Sequence, residues 1–159
     1  MTILSAQSIR HLATHPKRPL ISPFEKRQLK NGKTFGLGPA TYDVRSAQRM
    51  EIVPYWQSHT GYLLSTMERF ILPPNIIMEV HDKSTGARHF ITVFNTIADP
   101  GWEGYLTLEL VNLGAESYFI DKGDPVAQMK FSWLDDITEA PYRGKYQGQP
   151  NKPVGAILE

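Results

Sequence analysis

Between Asp82 and Asn112 the chain carries three groups with the residue types needed to handle a small anionic molecule. The first is Lys83-Ser84-Thr85-Gly86-Ala87-Arg88. Its hydroxyls and backbone N–H groups can donate to phosphate oxygens, and a guanidinium can grip them with two parallel bonds. The same residues would also serve as a solvated turn between strands, and the G-x-x-x-x-G-K-[ST] pattern of a P-loop is absent. The second group is Asp99, ahead of Pro100-Gly101. It can cap its own turn or present a carboxylate at a strand end to a sugar hydroxyl or a water. The third is Glu109 within Tyr105-Leu106-Thr107-Leu108-Glu109-Leu110-Val111. Alternation puts Leu106, Leu108 and Leu110 on one face and Tyr105, Thr107, Glu109 and Val111 on the other. A half-buried carboxylate there needs partners or a raised pKa, and a raised pKa suits proton transfer near neutrality. A cross-strand pair with Lys or Arg is the alternative.

Other chemistries lack their residues. The five histidines, at positions 11, 15, 59, 81 and 89, form no H-E-x-x-H, although His89 beside Arg88 could touch a ligand. Without cysteine there is no disulfide, no thiolate metal site and no H-x-E…P-C-x-x-C zinc-deaminase pattern. A nucleophile elbow and a Rossmann glycine pattern are also missing.

At 159 residues the chain fits a single domain spanning 1–159, large enough to bury a core unaided. A formal charge of +1, with 41% apolar and 21% charged residues, gives no broad field for nucleic acid or an anionic membrane. No apolar run approaches ~20 residues, so no membrane span and a cytoplasmic location are expected.

The elements that must position these groups are mostly strands. Ser5 to Ala13 predicts a short helix capped by Ser5, with Ile9, Leu12 and Ala13 on one face. Residues 22–41, rich in Pro, Gly and Lys, read as irregular chain, including Phe35-Gly36-Leu37-Gly38-Pro39. Strands are expected at Tyr62–Leu64, Ile76–Val80, His89–Phe94, Tyr105–Val111, Ser117–Asp121 and Val126–Trp133, separated by Pro/Gly/Asn turns. Many short strands argue for an all-β sandwich, jelly roll or barrel. Pro141 to Pro153 has no strand pattern, and residues 141–159 form either a frayed tail or a flap that orders over a ligand. Tyr142, Lys145, Tyr146 and Gln149 in it suit closure over a charged nucleotide.

Taken in order, these pieces resemble the dCTP deaminase family of the dUTPase-like superfamily, over nearly the whole chain. Ile3-Leu4-Ser5, Ile21-Ser22-Pro23-Phe24 and Pro39-Ala40-Thr41-Tyr42-Asp43-Val44-Arg45 match the family's opening. The [RK]-S-S-x-[AG]-R signature stands as Lys83 to Arg88. D-P-G-[FW]-x-G stands as Asp99-Pro100-Gly101-Trp102-Glu103-Gly104, followed by L-T-L-E-L-x-N and the tail P-Y-x-G-K-Y-Q-G. The resemblance implies a distorted jelly-roll, or β-clip, subunit in a homotrimer, with sites between neighbours. It implies zinc-free hydrolysis of dCTP to dUTP and ammonia, with Mg²⁺ riding on the triphosphate and no protein metal cage.

Carried onto this chain, Glu109 is the general base and proton shuttle, Ser84 positions water and base, and Arg88 stabilises the transition state. Lys83, Ser84, Thr85, Gly86, Ala87 and Arg88 line the phosphate path. Asp99 takes the 3′-hydroxyl, Thr107 and Leu108 frame the base through backbone groups, and Tyr142, Lys145 and Gln149 close from the tail. Two departures stand out. The second signature serine is Thr85, and His89 to Ala98 lacks the longer T-A-x-R-I-D loop of many bacterial members, which leaves base preference open. A dUTPase, or a bifunctional enzyme in which Asp99 orients water for dUTP cleavage, is the second reading. A catalytically silent nucleotide-binding trimer is the third.

Overall fold

The computed structural model describes residues 2–158; Met1 and Glu159, included in the expected domain, lie outside the described residues. The strands are β1 Thr2–Ile3, β2 Ile21–Ser22, β3 Gln28–Lys30, β4 Lys33–Leu37, β5 Thr41–Arg45, β6 Met50–Ile52 and β7 Tyr62–Ile71. They continue as β8 Ile76–Asp82, β9 Ile91–Val93, β10 Ile97–Ala98, β11 Glu103–Asn112, β12 Tyr118–Ile120 and β13 Pro125–Trp133. Helix α1 covers Ala6–Ala13, and α2 Tyr55–Ser58 and α3 Ser84–Ala87 are single turns. The expected all-β class with a short N-terminal helix is what the chain adopts. Ile9 and Ala13 are buried on one face of α1, as the spacing requires.

A large sheet runs in the order β10-β8-β13-β5-β4-β3, with β1 also on β13. A second sheet runs β2-β7-β11-β9, and β12 pairs with β6. The assigned pairs are antiparallel, so alternate side chains of each sheet point to a shared interior. Val44, Met78, Val80, Met129 and Phe131 enter it from the large sheet, and Leu64, Phe70, Leu108 and Leu110 from the smaller. Phe70 meets Phe131 across the layers at 6.3 Å between ring centroids.

Two sequence expectations need correction. Residues 22–41 are not irregular throughout: β3 and β4 form a hairpin, and β5 already begins at Thr41. Its turn is Asn31-Gly32, both at positive φ (51° and 74°), the backbone that a tight hairpin demands. The exposed β3 residues give no alternation for a pattern search to find. The strand expected at His89–Phe94 is shorter, because Phe90 at φ 58° turns the chain before β9 starts at Ile91.

The joint between β7 and β11 carries an irregularity that later decides the site. Tyr105 faces Arg69, but Thr107 faces Ser65, so Leu106 stands opposite the extra chain Thr66-Met67-Glu68. Leu106 N–H donates to Thr66 Oγ1 at 3.1 Å, and that hydroxyl donates to Glu68 O at 2.8 Å. Glu68, without solvent exposure, accepts from Arg45 N–H (2.9 Å) and Arg45 Nε (2.7 Å). Burial pushes the Glu68 carboxyl above its ordinary range, while both bonds from Arg45 pull it down. Arg45 also stacks over Phe35 at 5.0 Å.

Removing one member of such a pair strands the other charge in a dry interior. Glu68→Ala is therefore expected to destabilise the fold by about 3–5 kcal/mol, read from the urea midpoint. A midpoint equal to wild type would mean that the pair does not hold the bulge.

Candidate active site

Glu109 sits opposite Leu63 on β7, with Leu108 and Leu110 directed into the core on either side of it. It lines a cavity of about 430 Å³ together with Leu63, Ala98, Asp99, Trp102, Leu106 and Thr107. Its Oε2 is buried and has no hydrogen-bond partner. Burial pushes its carboxyl above the ordinary value of 4.5, opposed only by its own backbone N–H. The sequence had left open a salt bridge to a cross-strand cation; Glu109 forms none. Leu106, expected on the face away from Glu109, instead lines the same cavity. Leu106 is nevertheless buried in phase with Leu108 and Leu110, as alternation requires, and it reaches the cavity where it stands opposite the β7 bulge.

Asp99 follows β10 and is exposed at the cavity wall, where its carbonyl closes a turn by accepting from Trp102 N–H at 3.1 Å. Thr107 lines the cavity, but its hydroxyl is already engaged, accepting from Val154 N–H at 3.0 Å. Leu108 is fully buried in the core and does not line the cavity.

The stretch after Pro141 has no regular helix or strand, yet it lies ordered along the body. Tyr142 N–H donates to Pro100 O (2.8 Å), Trp102 Nε1 to Tyr146 O (2.8 Å), Gly148 N–H to Glu103 O (2.8 Å) and Tyr105 N–H to Gln149 O (3.0 Å). The approach is close enough to need glycine at 104: at φ 148° a Cβ there would come within 2.7 Å of Gln149 N. Tyr142, Tyr146 and Gln149 line the cavity, and Val154 to Ala156 cover another part of it. Lys145 does not line it; the residue is exposed, with Nζ 5.6 Å from the Tyr146 ring centroid.

Residues 83–88 lie elsewhere, and none of them lines this cavity. Ser84–Ala87 is the helical turn α3. Ser84, Ala87 and Arg88 are exposed, and Thr85 and Gly86 are half-buried. Lys83 is buried, its amine bonded to the Asp43 carboxylate and 3.4 Å from Thr34 Oγ1. The fold thus gathers Glu109, Asp99, Thr107, Tyr142 and Gln149 and leaves Ser84 and Arg88 on a separate surface. Sequence reasoning gave no role to Trp102, Leu63 or Val154. Trp102 stood inside a quoted motif, whereas nothing local marks the other two. Among the described residues no group of three or more His, Cys, Asp or Glu could hold a metal ion.

A family model described as dCTP deaminase-like matches residues 55–134. A dCTP deaminase of Thermococcus gammatolerans is 34% identical, over 83% of this chain and 86% of the relative. A dCTP deaminase of Xylella fastidiosa is 32% identical, over 94% and 96%. Among solved structures, the native dUTPase of EIAV superposes with a TM-score of 0.56 at 19% identity, covering 81% of this chain and 95% of that one. The 2′-deoxycytidine 5′-triphosphate deaminase of Agrobacterium tumefaciens gives 0.59 at 18% identity, over 82% of this chain and 47% of that one. The fold is therefore the dUTPase-like one.

A carboxyl whose pKa is raised by folding contributes its full stability below its unfolded pKa and loses it as pH rises through the folded value. Glu109 should accordingly make the fold less stable as pH climbs above about 4.5, its ordinary value. In Glu109→Gln that part of the pH slope disappears and the protein melts higher at pH 7 than wild type. Parallel melting-temperature profiles for the two proteins would contradict a desolvated Glu109.

Proposed function

Because the chain belongs to the dCTP deaminase family, we propose that it hydrolyses dCTP to dUTP and ammonia with Glu109 as the proton shuttle. One observation carries this reading: a buried, unpartnered carboxylate oxygen on a cavity that also contains Asp99. Hydrolytic deamination needs a base within hydrogen-bond reach of a water, then an acid for the departing nitrogen. Glu109 takes one proton as water attacks cytosine C4 and delivers it to the ring nitrogen, then takes the second from the resulting C4 hydroxyl and delivers it to the leaving amine as the C–N bond breaks. Burial raises its pKa, which makes it a stronger base than an ordinary carboxylate for the first half of that exchange. Asp99 accepts the deoxyribose 3′-hydroxyl, Thr107 flanks the base, and Tyr142, Lys145 and Gln149 close over the triphosphate from the tail. Among the described residues Asp99 and Glu109 are the carboxylates that line the cavity, and Mg²⁺ is assigned to the substrate as Mg·dCTP.

Ser84 and Arg88 reach such a substrate only if a second copy of the chain supplies them, so the site is assigned to the junctions of a homotrimer. Ser84 of the partner subunit would position water and base, and Arg88 of the partner subunit would stabilise the transition state. The rest of that turn, Thr85, Gly86 and Ala87, would track the phosphates. Exposed apolar groups beside the cavity support a covering neighbour: Ile97 is 60% and Phe94 55% exposed. Among the described residues no helix is long and apolar enough to cross a membrane. A cytoplasmic location is assigned because free deoxynucleotides are held there.

The test offers purified protein Mg·dCTP and Mg·dUTP and measures ammonia and pyrophosphate separately. Ammonia from dCTP is expected, with Glu109→Gln slower by roughly 10²–10⁴-fold. In wild type kcat/KM should rise with pH as Glu109 ionises. Pyrophosphate without ammonia would select a dUTPase with Asp99 orienting water, and neither product would leave a nucleotide-binding protein. Deamination undiminished in Glu109→Gln would exclude the shuttle.

A further inference from the structure

Lys83 opens the sequence motif best suited to phosphate, yet its amine faces inward. Its side chain is 7% exposed and that of Asp43 11%. Besides Asp43 Oδ2, the amine has Thr34 Oγ1 at 3.4 Å, and the other oxygen of Asp43 accepts from Gln128 Nε2 at 3.0 Å. A phosphate reaching Lys83 would have to displace a carboxylate already neutralising it in a nearly dry site, and Asp43 itself would repel the newcomer. Arg88, at the other end of the turn, is exposed and has no ion-pair partner among the described residues.

The turn is fastened at the point where it leaves β8. Asp82 Oδ1 accepts from Val93 N–H at 2.7 Å, tying the end of β8 to β9. Lys83, the next residue, reaches across to Asp43 on β5, and Gln128 on β13 lies between the two strands. Ser84 through Arg88 then project from a base held to three strands. We propose that Lys83 is a positioning residue, not a phosphate ligand: its buried pair with Asp43 fixes the turn that presents Ser84 and Arg88 to the substrate. The inference rests on the deaminase reading and assigns that site a residue, Asp43, which touches no substrate.

Lys83→Met, Asp43→Asn and the double variant are assayed for ammonia release from Mg·dCTP and for inhibition by inorganic tripolyphosphate. Misplacing a group by about 1 Å can cost on the order of 10²-fold in rate. Each single variant should therefore lose roughly 10–100-fold in kcat, and any rise in the KM for Mg·dCTP or in the inhibition constant for tripolyphosphate should be the same in Asp43→Asn as in Lys83→Met, since both loosen one turn. The double variant should be no slower than the slower single, because both remove one interaction. Thermal melting verifies folding, and Asp43→Asn, which preserves shape, decides the matter if Lys83→Met fails to fold. A phosphate-binding phenotype in Lys83→Met, with kcat kept and both constants raised tenfold, overturns the proposal. So does an Asp43→Asn variant with wild-type kcat, or additive losses in the double variant. Absence of ammonia from wild type rejects the deaminase reading itself, whereas normal wild-type turnover with any of those three results rejects only the role of Lys83.

Discussion

Glu68 has no exposure to solvent, and the bond it makes to Arg45 determines how β7 and β11 run past each other. Its carboxylate accepts from both the backbone and the side chain of Arg45 on β5, so one buried anion ties the two sheets together. The bulge Thr66-Met67-Glu68 places two more residues on β7 than a straight ladder would need. Two is an even number, so the inward face of β7 stays in phase across the bulge, with Leu64 and Phe70 both buried, and Glu109 keeps the outward face that the pleat of β11 gives it. What changes is its position along β7, by two residues or about 7 Å. That displacement sets Glu109 against Leu63 and brings Leu106 into the cavity beside it. The proposed base thus sits beside a bulge braced by a charge pair that lines no part of the cavity.

The cavity wall is completed by chain with no regular secondary structure. The tail runs beside the start of β11, where Glu103 O and Tyr105 N–H are satisfied by Gly148 and Gln149. Backbone groups that an edge would otherwise leave to water are paired, while only a few side chains anchor the segment. Attachment of this kind can be exchanged for ligand contacts without disturbing the sandwich core. The Val154 N–H bond to the Thr107 hydroxyl shows how near the tail comes to the strand that carries Glu109.

The sequence made the half-burial of Glu109 legible because alternation is a local property, and Leu108 and Leu110 flank it. It also separated the strand-rich chain beyond Tyr42 from the helix at the N-terminus. The bulge was not legible: it depends on Glu68 meeting Arg45, 23 residues away. For the same reason β7 was foreseen only as Tyr62–Leu64, since Glu68 and Arg69 look like the polar end of a strand when their partners are unknown. The Asn31-Gly32 turn was readable in principle, but the exposed strand before it offered no periodicity to join to it. With Lys83, composition announced a cation and only the fold supplied its counter-ion. The ordered tail escaped because its bonds run mainly through backbone atoms, which every sequence possesses.

The separation of charges on this subunit has a chemical logic. A triphosphate requires cations, whereas a guanidinium beside a carboxylate base pulls its pKa down, against the rise that burial gives Glu109. Within one subunit the two are kept apart: Glu109 has an apolar wall of Leu63, Trp102 and Leu106, and Arg88 is carried on a turn at a different surface. Under the proposed assembly the cation reaches the site from a second copy, alongside the negative charge of Mg·dCTP that it must offset. Ser84 and Arg88 must then hold their place without help from the cavity they serve. Rigid attachment to their own sheet, through Asp82 and the buried pair of Lys83 with Asp43, is the support such an arrangement requires.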